Sequence, residues 1–199
     1  MTLTEELLRI QMMVKNQLAI FQGLLSIRYL VLDGHFGNNN ALQMTLQCGL
    51  HLVSKLRFDA ALYFLYDGPQ AKRGPRRRYG DKIDYAQIPD RYRQETMIDQ
   101  KKAIRTDIYQ AEMLHRSFAQ TLNVVIIGKT NLKTGARAHV VLFSSDLALD
   151  YAQIIDFYSL RFQIEFNFRD AKQYWGLEDF MNVEETPVAN AANLSLFMV

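Results

Sequence analysis

The stretch Ile27-Arg28-Tyr29-Leu30-Val31-Leu32-Asp33-Gly34 decides the fold class. Six mostly apolar, β-prone residues run into an Asp-Gly turn pair, so the segment reads as a short buried strand that ends at Asp33. On its N-terminal side, Leu7, Leu8, Ile10, Met13, Val14, Leu18, Phe21 and Leu25 recur at intervals of three and four. That spacing predicts a helix over 4–25, with Thr4 as N-cap. On its C-terminal side, Asn38–Asn40 open a second helix that runs to about Cys48 and is closed by Gly49. His51-Leu-Val-Ser-Lys-Leu-Arg57 then reads as another strand. Strand, turn, helix, strand is the order of an α/β sheet.

Beyond residue 66 the character changes. Gly68-Pro69, Gly74-Pro75, Gly80 and Pro89 punctuate a basic stretch rich in Tyr and Arg. Two apolar runs follow, Val124-Val125-Ile126-Ile127 and His139-Val140-Val141-Leu142-Phe143, joined across Asn131-Leu132-Lys133-Thr134-Gly135, a hairpin connection. The three segments predicted are 1–66, α/β; 67–145, basic and mostly β, inserted in the α/β domain; and 146–199, helical. In the last, helices are expected over about 150–174 and from about Pro187.

Composition narrows the function. The only cysteine, Cys48, excludes an internal disulfide framework and a cysteine-rich zinc site. It reads as a buried, inert thiol and fits a reducing cytoplasm. No uncharged apolar run approaches the roughly 20 residues that span a bilayer, so no membrane partner is expected. The net charge of +2 hides an asymmetry. Residues 70–105 hold 11 Lys/Arg against 5 Asp/Glu, whereas the remainder holds 12 against 16, so a polyanion meets the middle of the chain first. Gly74–Gly80 lacks the order of a phosphate-cradling P-loop, and the four histidines lack metal-ligand spacing.

The predicted helix 150–174 carries the chemistry. At about 100° per residue, Tyr158, Arg161, Glu165, Arg169 and Lys172 share one narrow stripe, flanked by Phe157, Leu160, Ile164, Phe168 and Trp175 on one side. Phe162 and Phe166 flank it on the other. The stripe reads either as surface ion pairs at i+3 and i+4 or as one carboxylate and several phosphate-seeking cations along a cleft. The spacing Tyr158-x2-Arg161-x3-Glu165-x6-Lys172 resembles the Y-x2-R-x3-E-x6-K signature of insertion-sequence DDE transposases. Leu32-Asp33-Gly34-His35-Phe36-Gly37 is similar to that family's second acidic motif, an aspartate leaving a strand.

The resemblance implies a ribonuclease H-like catalytic core, here partial, with the mostly β insertion between Asp33 and the glutamate-bearing helix. It implies Asp33 and Glu165 as catalytic metal ligands that meet at a shared site, with two Mg2+ ions in the complete centre. It implies Tyr158, Arg161, Arg169 and Lys172 as DNA-binding residues, and Arg76, Arg77 and Arg78 extend that surface. The implied partners are double-stranded DNA, as transposon ends and target, and a second copy in a homodimeric active complex. The implied location is cytoplasmic and nucleoid-associated. The family's first aspartate lies on a strand ahead of the first helix, where this sequence has only Met1-Thr2-Leu3. Glu5 and Glu6 lie within the helix, and the C-terminus stops on Leu194-Ser-Leu-Phe-Met-Val199. The expectation is therefore a fragment truncated at both ends. It is either the catalytic part of a transposase, inactive alone, or a non-catalytic remnant that occupies DNA ends or pairs with full-length copies.

If the basic segment meets DNA, log affinity falls linearly with log salt. Replacing Arg76, Arg77 and Arg78 by Ala then shallows the slope by up to about 2.7, three phosphates at roughly 0.9 each. A salt titration of duplex binding measures it, and an unchanged slope places the contact elsewhere.

Overall fold

The computed structural model describes residues 3–22, 24–181 and 183–199. Met1 and Thr2, ahead of the first predicted helix, and Gly23, within its predicted span, lie outside the described residues. The chain forms a mixed α/β structure that divides into two compact units, one reaching to Tyr158 and one from Ser159 to Val199.

The first unit is built on one eight-stranded sheet. Helix α1 (Glu5–Ile20) precedes strand β1 (Tyr29–Val31), and helix α2 (Asn39–Gln47) connects β1 to β2 (His51–Leu56). Strands β3 (Leu62–Leu65), β4 (Tyr79–Lys82), β5 (Arg93–Asp99), β6 (Ile104–His115), β7 (Leu122–Asn131) and β8 (Arg137–Ser144) follow, and helix α3 spans Tyr151–Leu160. The strand order is β1-β2-β8-β7-β6-β3-β4, with β5 also paired to β6. Among the described residues only β1 and β2 are parallel, with Val31 opposite Val53. The other pairs are antiparallel.

Period-two alternation divides the sheet's side chains between two cores. Leu52, Leu56, Val124, Ile126, Val141 and Phe143 face one way and pack with Leu42 of α2. Val53, Val125 and Leu142 face the other and pack with Ile154 and Tyr158 of α3. Burial on both faces explains why 124–127 reads as an unbroken apolar run. The predicted hairpin is formed. Asn131 Oδ1 accepts the N–H groups of Lys133 and Thr134 at 2.9 and 3.1 Å, and Gly135 takes φ 72°.

The elements depart from expectation at instructive places. The first helix ends at Ile20 rather than 25, and Leu24 and Leu25 turn back to the Phe21 carbonyl. Of its apolar positions only Leu7 is fully buried, against Ala41 and Met44 of α2, while Leu8, Met13 and Leu25 are exposed. Cys48 is half-buried, and burial raises its thiol pKa, with Lys15 opposing. The thiol therefore stays protonated and weakly reactive.

Two polar side chains fasten the exit from β8. The Asn123 amide lies 3.0 and 2.7 Å from the carbonyls of Asp146 and Leu149, and the Tyr29 hydroxyl donates to Asp146 at 2.7 Å. Burial alone would raise the Asp146 pKa. The Tyr29 hydroxyl, the Ala148 N–H and the positive charge of His51 and Arg28 outweigh it and hold the carboxyl below its usual value.

The second unit contains helices α4 (Phe162–Tyr174) and α5 (Glu185–Phe197). Gly176, at φ 67°, ends α4, and the Ser195 hydroxyl of α5 donates to the Trp175 carbonyl at 2.6 Å.

Asp146 has a lowered folded pKa, so the stability it contributes is complete above the unfolded carboxylate value. It is lost as pH falls through the folded one. Tyr29→Phe is expected to destabilise the protein by about 2 kcal/mol at neutral pH, the worth of a hydrogen bond to a charged group. The deficit should shrink in acid, and urea unfolding at neutral and acid pH measures both.

Candidate active site

Asp33 stands two residues beyond the end of β1, exposed, with extended backbone (φ −59°, ψ 160°) at the head of a short 3-10 turn, Gly34–Phe36. Its carbonyl accepts the Ser54 hydroxyl of β2 at 2.9 Å and the Phe36 N–H at 2.9 Å. The Leu32 N–H reaches the Val53 carbonyl at 3.0 Å, prolonging the β1–β2 pairing up to the aspartate. Gly37 presses this loop onto the sheet. A Cβ there would lie 2.1 Å from the Lys55 carbonyl oxygen, a backbone atom that cannot move aside. Asn38 then accepts the Ala41 N–H at 3.0 Å and starts α2. A sheet strand, a close-packed glycine and a capped helix thus hold the backbone beneath the exposed carboxyl group.

The polar stripe lies differently from the single helix expected over 150–174. That helix is interrupted at Arg161, whose carbonyl accepts the Ile164 N–H in an i to i+3 turn at 3.1 Å. Tyr158, on α3, is only 8% exposed and packs with Ile154, Leu149 and Val53 in the first unit. Arg161, Glu165, Arg169 and Lys172 belong to the second unit. Arg161 Nη1 meets Glu165 Oε1 at 3.1 Å, and the Arg161 guanidinium lies over the Phe162 ring at 4.6 Å. Arg169 pairs with Asp170 at 3.1 Å and lies over Phe166 at 4.9 Å, and Lys172 pairs with Glu178. Glu165 sits in the first turn of α4, where the helix dipole favours a carboxylate. Of the i+3 and i+4 ion pairs expected within the stripe, Arg161–Glu165 is present, while Arg169 and Lys172 pair with Asp170 and Glu178 outside it. Exposed pairs such as the latter two contribute only a few tenths of a kcal/mol. Trp175, flanking the stripe, is 45% exposed rather than packed in a core.

Arg76, Arg77 and Arg78 are exposed on the connection between β3 and β4. Arg77 is held in place. Gln70 bonds both its N–H and its carbonyl at 2.8 Å, and its guanidinium lies 4.4 Å from the Tyr66 ring centre.

The donor chemistry of Asp33 and Glu165 suits a hard divalent cation, which takes oxygen ligands. Among the described residues, however, no group of three or more His, Cys, Asp or Glu side chains is placed to hold a metal ion. The donor type fits a metal. Sequence reasoning reached Asp33 through its strand-turn context and missed what holds it. Ser54 carries no signal of its own, and Gly37 reveals its role only once β2 lies against it.

A family model described as DDE superfamily endonuclease matches residues 16–117, just over half of the chain. The matched span includes Asp33 and Arg76–Arg78 and ends before Tyr158 and Glu165. No curated protein matches the sequence.

If the loop geometry depends on Gly37, Gly37→Ala forces the loop off β2 and destabilises the fold by about 2 kcal/mol, as overpacking does. Ser54→Ala removes one hydrogen bond, about 1 kcal/mol. Urea midpoints at unchanged m-value measure both.

Proposed function

The chain belongs to the DDE superfamily endonucleases, enzymes that act on DNA and use divalent metal ions, and from that premise we propose that it is the catalytic region of an insertion-sequence transposase. The observation that carries this reading is the exposed Asp33 at the end of β1, anchored by Ser54 and Gly37 within the matched span. The reaction class is in-line displacement at phosphorus, cutting and rejoining strands at transposon ends. A pair of magnesium ions would stabilise the attacking and leaving oxygens.

In this proposal Asp33 and Glu165 each give carboxylate oxygen to the metal centre, within a partial ribonuclease H-like core interrupted by the β-rich segment 67–145. Arg169 and Lys172 neutralise phosphates near the scissile bond, one by a planar fork and the other as a point charge. Arg161 orients Glu165 through their 3.1 Å pair. The exposed Arg76–Arg78 connection tracks the backbone of double-stranded DNA without reading its sequence. A homodimer brings two transposon ends together, and the protein works in the cytoplasm at the nucleoid.

A second reading is a DNA-binding regulator that occupies ends without cutting them. Two carboxylates supply less charge stabilisation than a two-ion centre needs. The 199-residue chain is therefore expected to bind DNA in magnesium and leave supercoiled plasmid intact. Magnesium-dependent nicking by the parent chain, abolished in Asp33→Asn and Glu165→Gln, would uphold both carboxylates and remove the regulator reading. Nicking that persists in both variants would overturn the site assignment.

A further inference from the structure

The sheet face that buries Ile126 also bears a cleft of about 320 Å³ whose residues the catalytic proposal does not use. Arg93, Arg105, Asp107, Tyr109, Gly128 and Arg137 line it. Strand register puts the β6, β7 and β8 members on one side. Arg105, Asp107 and Tyr109 alternate along β6, Asp107 is opposite Gly128, and Arg105 is opposite Thr130, which in turn is opposite Arg137. Three arginines thus line the cleft with a single lining carboxylate, and Arg93 also pairs with Asp90 outside the lining.

That carboxylate is already committed. Asp107 accepts the Thr96 hydroxyl at 2.6 Å and two N–H groups of Arg105 at 2.9 Å. Burial would raise its pKa, but these hydrogen bonds, together with the charges of Arg105 and Arg93, hold it ionised below the usual value. Its role is to fix the Arg105 fork, and it leaves the cleft with an excess of positive charge. Arg93 Nε is buried and makes no hydrogen bond among the described residues, standing 3.7 Å from Asp107 Oδ1, while its Nη2 pairs with Asp90 and meets the Tyr109 hydroxyl. A ligand oxygen would satisfy the Nε donor.

Gly128 supplies a third, independent observation. Glycine weakens the interior of a strand, and where it is kept it often marks the close approach of a ligand or another backbone. Its φ is not positive, and a Cβ would meet nothing nearer than the Asp107 carbonyl at 3.7 Å. Neither backbone conformation nor crowding calls for glycine here. Its effect is to leave the floor of the cleft open between Arg105 and Arg137.

We propose that this cleft is a phosphodiester subsite that seats the backbone of one nucleic-acid strand, with the Arg93, Arg105 and Arg137 guanidinium groups around the phosphate. Arg105, its fork held by Asp107, offers its remaining N–H groups, guanidinium groups suit phosphate oxygens, and the volume admits a phosphate with its sugar and excludes a duplex. The choice of ligand rests on the reading of the chain as a DNA-acting protein. The lining includes neither Asp33 nor Arg76, Arg77 or Arg78.

Fluorescence anisotropy of the full chain with a short labelled single-stranded oligonucleotide, repeated across a salt series, tests it. Gly128→Val fills the floor with a residue that strands favour and should weaken binding about tenfold, the loss of one charge-assisted hydrogen bond, without lowering the thermal midpoint. Arg137→Gln should shallow the log–log salt slope by about 0.7, one phosphate of a single strand. Its guanidinium bonds the Ala86 carbonyl at 3.0 Å in an exposed contact, so it serves as the folded control should Gly128→Val misfold. Folded variants with parental affinity and slope overturn the subsite. If Arg76–Arg78 replacement still weakens binding in that case, the DNA reading survives without the cleft. A parent chain that binds no oligonucleotide overturns both. Displacement of the oligonucleotide by inorganic phosphate at constant ionic strength would mark a free-anion site and overturn the strand assignment.

Discussion

Strand β2 is the constraint on which the first unit depends. It pairs in parallel with β1 on one edge and antiparallel with β8 on the other, with Val53 opposite both Val31 and Ser144. Ser145 continues the second pairing, its N–H bonding the Leu52 carbonyl and its hydroxyl accepting the Leu52 N–H, both at 3.0 Å. Leu52, Val53 and Leu56 are buried on alternate faces. A one-residue slip would therefore turn Leu52 and Leu56 out of one core and Val53 out of the other. The same strand supplies Ser54 and the Lys55 carbonyl, so the register that fills the core also sets the position of Asp33.

Much of this was legible in the sequence because short-range physics decides it. The Asp33-Gly34 stop, the Asn38 cap, the turn at Gly49 and the hairpin at Asn131 each follow from a few adjacent residues. Long-range pairing decided the rest. The twelve-residue β6 reads as mixed polar and apolar because it borders β3, β5 and β7 along different parts of its length. A wheel drawn through 150–174 assumes one uninterrupted helix, and the turn at Arg161 separates Tyr158 from Glu165 into different units. Asp33 could be nominated from sequence because its place at a strand end is local. Gly37 could not, since its neighbour Lys55 is supplied by another strand.

Charge shows the same division between local and distant causes. The basic excess in residues 70–105 is visible as composition, yet its arginines take different roles. Arg76 and Arg78 lie exposed on a connection, whereas Arg93 and Arg105 are drawn around the nearly buried Asp107. A carboxylate at 13% side-chain exposure fixes how Arg105 can turn. A count of charges gives the strength of attraction for a polyanion, and the placement of the few acids decides which cations are preorganised.

The pairing of β2 with β8 also has a kinetic meaning. Leu56 and Val141 are neighbours in the sheet and 85 positions apart in the chain. The β6–β7–β8 meander and the β1–α2–β2 segment are each built from contacts close in sequence, so either forms at small cost in chain entropy. Joining them closes the longest loop of the unit, and non-local closure of this kind is what slows folding. Until it occurs, the facing edges of β2 and β8 are unpaired, each offering open backbone to another chain. The contact that completes the sheet is thus also the one whose delay leaves the nascent protein open to aggregation.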